Sequence, residues 1–310
     1  MKATISNFIK VTLIILLHVY SLQAQEVRFS QWYQTPLIIN PALTGAFNGS
    51  LRAVINYRNF QKDYNTIAGS YEMAFMKKKW KRAFIGAGLN LFNDNEGPLT
   101  TKKASFSLAF HRMINRNNAL SVGLQSGYAQ KSITTINLVT NTMNSNTDLS
   151  NNHSGYGDFS YGLLWTWAKD SLSNKFNIGF SQFNINRPMV TLLGVNEKES
   201  VITNAHASVL IKIKRTKMAV APNILFVHQG STQEILPGLF FQYTLEQKTK
   251  TMLFLGGQYR NQDSFIATAF FEYTNYALGI SYDLNTGNLG TENSKTGVVE
   301  LSLRYINRRR

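Results

Sequence analysis

The sequence predicts an all-β fold, a 14-stranded antiparallel transmembrane β-barrel preceded by an N-terminal periplasmic plug-like segment, and three observations carry it. Between Leu51 and Ile306, fourteen stretches alternate apolar and polar residues, so every second side chain can face lipid. The connections between them switch between short and long, as expected when tight turns close one rim of a barrel and longer loops the other. The first 24 residues have the form of an export signal: Lys2 and Lys10, an apolar run over 11–17, and the small Ala24 before Gln25.

The remaining elements follow in chain order. Residues 25–50 form a strap outside the alternating series, because Pro36, Pro41 and Gly45 bar a regular helix or central strand. Its aromatic and aliphatic side chains need a surface to cover, and the periplasmic mouth of the barrel is the nearest. Residues 51–306 form the barrel and 307–310 a basic tail. No segment after the signal approaches the roughly 18 consecutive apolar residues of a spanning helix. The chain has no Cys, which excludes a lipid-modified cysteine anchor, disulfides and thiolate metal sites. Export without a spanning helix leaves an outer-membrane or a secreted protein, and together with the barrel pattern it predicts the outer membrane of a Gram-negative bacterium.

The alternation predicts strands over 51–59, 66–76, 83–92, 102–113, 119–130, 157–168, 175–184, 203–213, 217–226, 233–244, 250–260, 263–273, 275–284 and 295–306. It is clearest where Ala104, Phe106, Leu108 and Phe110 oppose Lys103, Ser105, Ser107 and His111. Phe159, Tyr161, Leu163, Trp165 and Trp167 oppose Asp158, Ser160, Gly162 and Thr166, and Val299, Leu301, Leu303 and Tyr305 oppose Val298, Glu300, Ser302 and Arg304. Closure of 295–306 against 51–59 removes both free edges, which hydrocarbon would penalise. The outward loops are then 60–65, 93–101, 131–156, 185–202, 227–232, 261–262 and 285–294, and the inward turns are all short. Pro222 and Pro237 fall inside adjacent strands and, with a hairpin centred between Gln229 and Gly230, face one another, which predicts a local break or kink in the wall.

The net charge of +15 does not indicate nucleic acid, since no aromatic-flanked basic patch is present. The basic residues gather in predicted turns: Lys77, Lys78, Lys79, Lys81 and Arg82; Lys214, Arg215 and Lys217; and Arg308, Arg309 and Arg310. They make either a solvated rim or a docking surface for an acidic partner or anionic outer-membrane lipid. Segment 141–158 reads as a polar loop in which Asp148 and Asp158 lack EF-hand spacing. Within 185–202, Met189, Val190, Leu192, Leu193 and Val195 form an apolar run that either folds back to plug the lumen, the favoured reading, or meets another protein. His111, His153, His206 and His228 lack metal-ligand spacing, and no nucleophile elbow or phosphate-binding loop occurs. No catalytic, cofactor or metal site is expected.

The strap carries the most individual sequence: Phe29-Ser30-Gln31-Trp32-Tyr33-Gln34-Thr35-Pro36-Leu37-Ile38-Ile39-Asn40-Pro41-Ala42-Leu43-Thr44-Gly45. This run resembles the signature of the PorP/SprF family of type IX secretion system membrane proteins. Arg52-Ala53-Val54-Ile55-Asn56-Tyr57-Arg58, Ser70-Tyr71-Glu72, Gly256-Gly257-Gln258-Tyr259-Arg260, Gly279-Ile280-Ser281-Tyr282-Asp283 and Glu300-Leu301-Ser302-Leu303-Arg304-Tyr305 resemble the family's strands, so the likeness covers essentially the whole chain after the signal. A departure from many outer-membrane barrels is that Tyr305 is followed by a basic tail rather than ending the chain.

The resemblance implies a protein without catalysis that supports secretion or gliding, or holds an adhesin-like protein at the cell surface. The implied partners are a secreted protein with a type B C-terminal sorting domain outside and periplasmic or peptidoglycan-linked type IX components inside. On this reading Phe29, Trp32, Tyr33, Pro36, Asn40, Pro41 and Gly45 form the inner plug, while Asp148, Tyr156, Met189, Leu192 and Leu193 on the long loops touch cargo. A channel or hydrophobic-solute transporter is the alternative, because a fourteen-strand wall encloses a lumen.

Overall fold

A computed structural model describes residues 29–61, 64–77, 82–134, 152–169, 174–261, 264–285 and 297–308. The export signal, Asp148 and most of the 131–156 loop lie outside these residues. The first seven strands are β1 (Leu51–Gln61), β2 (Tyr64–Phe75), β3 (Ala83–Glu96), β4 (Leu99–Met113), β5 (Asn118–Ile133), β6 (Asn152–Ala168) and β7 (Lys175–Phe183). A small hairpin follows, β8 (Met189–Leu192) with β9 (Val195–Lys198). The wall resumes with β10 (Ile202–Lys212), β11 (Met218–Gln229), β12 (Thr232–Glu246), β13 (Thr251–Arg260), β14 (Ser264–Tyr273), β15 (Tyr276–Asn285) and β16 (Val298–Asn307).

Fourteen of these strands close into one antiparallel barrel, in which β7 neighbours β10 and β16 pairs with β1 from Leu51↔Asn307 to Asn59↔Val299. Each predicted strand overlaps an observed one. Among the described residues no helix is long and apolar enough to cross a membrane; the strands cross instead. The alternation sets the two faces. Phe106, Leu108 and Phe110 are exposed to the lipid side, whereas Ser105, Ser107 and His111 are buried inside. Tyr243, Tyr273 and Tyr276 lie near the short-turn rim and Tyr64, Tyr128 and Tyr259 near the other, all exposed, as amphipathic rings at headgroup level require.

Two expectations are corrected. Several outward loops are not loops: β3, β4, β5 and β6 run for 14, 15, 16 and 17 residues, beyond the roughly 9–11 that span hydrocarbon. Segments 93–101 and 227–232 therefore shrink to tight turns at Gly97–Pro98 and Gly230–Ser231, and the long connections are those spanning 134–151, 184–201 and 286–297. The asymmetry between rims rests on these three.

The prolines also do not face one another. The β11–β12 hairpin turns at Gly230–Ser231, which pairs Pro222 with Leu239 and Ile224 with Pro237 in an unbroken register. The interruptions lie on the far edges of the two strands. Between β10 and β11, Ser208↔Asn223 and Ile211↔Val220 are paired but Val209 and Leu210 find no partners in Pro222 and Ala221. Between β12 and β13 the ladder begins only at Gly238, just after Pro237. A proline has no N–H to give, and each of these is missed by the outer neighbour.

Candidate functional site: a lumen occupied by the N-terminal strap

The strap runs inside the barrel. It folds as a 3-10 turn (Trp32–Gln34), one α-helical turn, α1 (Pro36–Ile39), and a second 3-10 turn (Pro41–Leu43). The prolines exclude a longer helix, as the sequence implies, yet each opens a turn where its missing N–H would be unbonded anyway. Asn40 joins the two prolyl turns, its Oδ1 accepting from the Ala42 N–H at 2.8 Å.

The leading end is held by charge. The backbone N–H groups of Ser30 and Gln31 donate to the Glu300 carboxylate at 2.6 and 2.9 Å. The Ser30 hydroxyl donates to Asp283 at 2.7 Å and accepts from the Arg260 guanidinium at 3.1 Å, and Arg260 bridges Asp283 (3.1 Å) and Glu234 (3.0 Å). Ser302 donates to the Gln31 side chain at 2.6 Å. With its amide oriented to satisfy both neighbours, Gln258 donates to the Ser30 carbonyl and accepts from the Trp32 indole. Charges so enclosed are stable only when paired and hydrogen-bonded, and each here has a partner from the strap or the wall.

The middle of the strap supplies an apolar core. Trp32 and Ile39 pack with Phe183, Ile202, Leu225, Val227, Leu236 and Ile266 of the wall, and Tyr33 stands edge-on to Phe240 at 5.3 Å. Asn40, with no exposed surface, donates to the Leu163 carbonyl at 3.0 Å and the Phe180 carbonyl at 3.3 Å, and lies 3.2 Å from His206 Nε2. Ser181 and Asn204 donate to the Ile39 carbonyl. The backbone approaches so closely that a Cβ at Gly123 would collide with Pro41 and Ala42, and one at Gly162 with the Asn40 amide. Two wall positions that looked like unremarkable strand glycines are the seats of the strap.

The trailing end is clamped at the short-turn rim. Gly45, at φ 77°, donates to Glu72 at 3.1 Å, and Glu72 is paired bidentately with Arg52 at 2.7 and 2.9 Å. His111 bridges the Thr44 carbonyl (2.8 Å) and Ser121 (2.7 Å). In the turn after β2, Lys77 donates to the carbonyls of Phe47 and Gly49 at 2.6 and 3.1 Å. Burial, reinforced by Arg52 and Lys175 and opposed by Glu72, pushes the Lys77 ammonium down to about 8.

The strap residues expected to act together are thus gathered in one place: Phe29, Trp32, Pro36, Asn40 and Pro41 are buried in the lumen, Tyr33 is partly buried, and Gly45 sits at the rim contact. On the long-loop side, the β8–β9 hairpin turns Val190 inward onto Ala129 and Tyr156, with Leu192 against the same cluster. Met189, Leu193 and Val195 stay exposed. Tyr156, expected as a cargo contact, is buried beneath Val190 and is not on the surface. Its place in the alternation is an inward one, and the hairpin covers it.

Sequence reasoning missed the acidic and basic residues of the lumen, Glu72, Arg260, Asp283 and Glu300. Their signal was the charged residue at an inward position of otherwise apolar-polar strands. Among the described residues no group of His, Asp and Glu could hold a metal ion.

A family profile described as "Type IX secretion system membrane protein PorP/SprF" matches residues 21–305. Among curated proteins nothing matches. Similar solved structures include the Ralstonia pickettii toluene transporter TbuX, with a TM-score of 0.52 at 8% identity over 88% of this chain and 94% of that one. A Pseudomonas aeruginosa FadL homologue gives 0.52 at 8% identity over 87% and 93%, and the CymD monoaromatic hydrocarbon channel 0.52 at 9% over 89% and 94%. At such identity the likeness extends to the barrel fold alone. With its family profile spanning nearly the whole chain and its strands closed into a membrane barrel, the protein belongs to the PorP/SprF family of type IX secretion system membrane proteins and resides in the outer membrane.

Proposed function

We infer that this barrel acts by binding rather than by catalysis or conduction, docking a secreted protein that carries a type B C-terminal sorting domain and holding it at the cell surface in support of secretion or gliding. The observation that carries this reading is the strap. A lumen crossed by hydrogen-bonded chain from Ser30 to Gly45 serves poorly as a pore and well as a rigid mount. The apolar tips of the long-loop hairpin, Met189, Leu193 and Val195, supply an outer contact for cargo. Short turns on the other rim, with basic residues such as Arg82, Lys214 and Arg215, face periplasmic or peptidoglycan-linked components of the same route.

Deleting the gene and following surface display of every sorting-domain protein of the host tests this. Loss of at least one from the surface is the expected result, and unchanged display of all of them overturns it. Channel activity is the second reading, favoured by the interrupted β10–β11 ladder. Planar-bilayer recordings of the purified full chain separate the two, since a docking barrel stays silent with its strap in place.

A further inference from the structure

Below the strap, toward the short-turn rim, the lumen retains a cavity of about 320 Å³. This lies at the lower end of the roughly 300–1,000 Å³ typical of small-molecule sites. One side is aromatic: Tyr33, Phe240, Phe254 and Phe270 line it, with Phe254 and Phe270 edge-to-face at 5.6 Å. The other side is cationic. Arg52 and Arg304 reach it already bound to carboxylates, Arg52 to Glu72 and Arg304 to Glu272 at 2.7 Å.

Lys175 differs from both. It is the first residue of β7, its side chain lines the cavity, and among the described residues no acidic group or hydrogen-bond acceptor partners it. The charged group it senses is Arg52, and Lys77 senses Lys175 in turn. Arg52, Arg304 and Lys175 thus share the cavity with a single carboxylate among its described lining residues, Glu272, which Arg304 already occupies. An enclosed ammonium in such company is stabilised by an anion.

The break in the wall is beside it. Lys175 pairs across to Leu210, and Leu210 with Val209 forms the stretch of β10 that has no partner in β11. Alternation puts Val209 and Pro222 on the outer face with the exposed Ile211 and Ile224, yet both line the cavity together with the inward Ser208, Ala221 and Asn223. The cavity thus reaches into the seam between β10 and β11, where the bilayer borders an aromatic interior, next to the Lys175 ammonium.

We propose that this cavity is a binding site for a single-chain anionic amphiphile of the fatty-acid type, its carboxylate on Lys175, its tail along Tyr33, Phe254 and Phe270, entering sideways through the β10–β11 seam at Pro222. The volume suits one chain and not a two-chain lipid. Docking of cargo on the opposite rim is independent of this site, so either function stands without the other.

The test uses the full chain in phosphatidylcholine nanodiscs, with radiolabelled laurate as probe and empty discs as background. Unlabelled laurate displaces the label at a concentration about tenfold or more below that needed for dodecanol, and inorganic phosphate does not displace it. Lys175→Gln weakens laurate binding by about tenfold and Lys175→Arg restores most of it, in barrels that keep heat-modifiable migration on gels. Pro222→Val, which returns a ladder donor, slows association and dissociation alike and leaves Kd unchanged.

Equal displacement by the alcohol, displacement by phosphate alone or by a two-chain phospholipid, or full affinity in Lys175→Gln each overturns the site. Unchanged rates in Pro222→Val overturn the lateral entrance. The laurate and dodecanol comparison on the unaltered chain decides the matter even where a substitution fails to fold.

Discussion

At the scale of single residues, Asn40 ties the middle of the strap to the wall, since its amide serves two wall strands and its own next turn. Asn40→Leu keeps the volume but leaves the Leu163 and Phe180 carbonyls facing hydrocarbon, at a cost of about 1–3 kcal/mol. The expected outcome is a lower urea midpoint and strap cleavage by added protease, with barrel migration on gels intact. Gly162→Ala acts from the other side, driving a methyl into the Asn40 amide, and should expose the strap in the same assay. Lys77 gives a pH signature. Its folded value of about 8 lies below the 10.5 of the free side chain, so between those values the unfolded chain holds the extra proton and stability rises with pH. Lys77→Met should flatten that part of the urea-midpoint profile, while a slope equal to that of the unaltered chain would show that Lys77 does not titrate there.

At the scale of elements, the strands were legible because lipid outside and polar lumen inside impose a strict period of two, as in 103–111, where inward and outward side chains alternate without a break. Beyond the hydrocarbon that constraint ends. Residues such as Asn93, Asp94 and Asn95 are polar on both faces, so the sequence there looks like loop while the backbone ladder continues to Glu96↔Leu99. The proline register failed for a related reason: a one-residue shift of the turn, from Gln229–Gly230 to Gly230–Ser231, moves the cross-strand pairing by two residues, preserves the alternation and leaves no trace in hydropathy. The strap was identifiable as irregular and apolar, but its seats on Gly123 and Gly162 and its bond to Glu300 required the closed barrel. For the long-loop hairpin, Val190→Asp would place a charge against Tyr156 and Ala129 and should release β8 and β9, read as new protease cleavage within 185–199. Replacing Met189, Leu193 and Val195 by Ser should lower cargo retention without changing barrel assembly, and full retention would remove the hairpin from the docking surface.

At the scale of the whole molecule, the wall is closed by its own ladders from β1 to β16 and does not need the strap to satisfy its backbone. A chain lacking 29–45 should therefore still insert and should carry a steady ion current in planar bilayers that the full chain lacks. A silent truncated barrel would mean that side chains alone fill the bore. The attachment of Ser30 and Gln31 has another consequence. Both are among the first described residues of the chain, and their partners Asp283, Glu300 and Ser302 are on the last two strands, about as far apart in sequence as this protein permits. Contacts so distant form late. The leading peptide cannot lock until β15 and β16 exist, so a chain cut short by one hairpin would keep a loose, protease-sensitive front end, and an intact front end reports that the far end has been made.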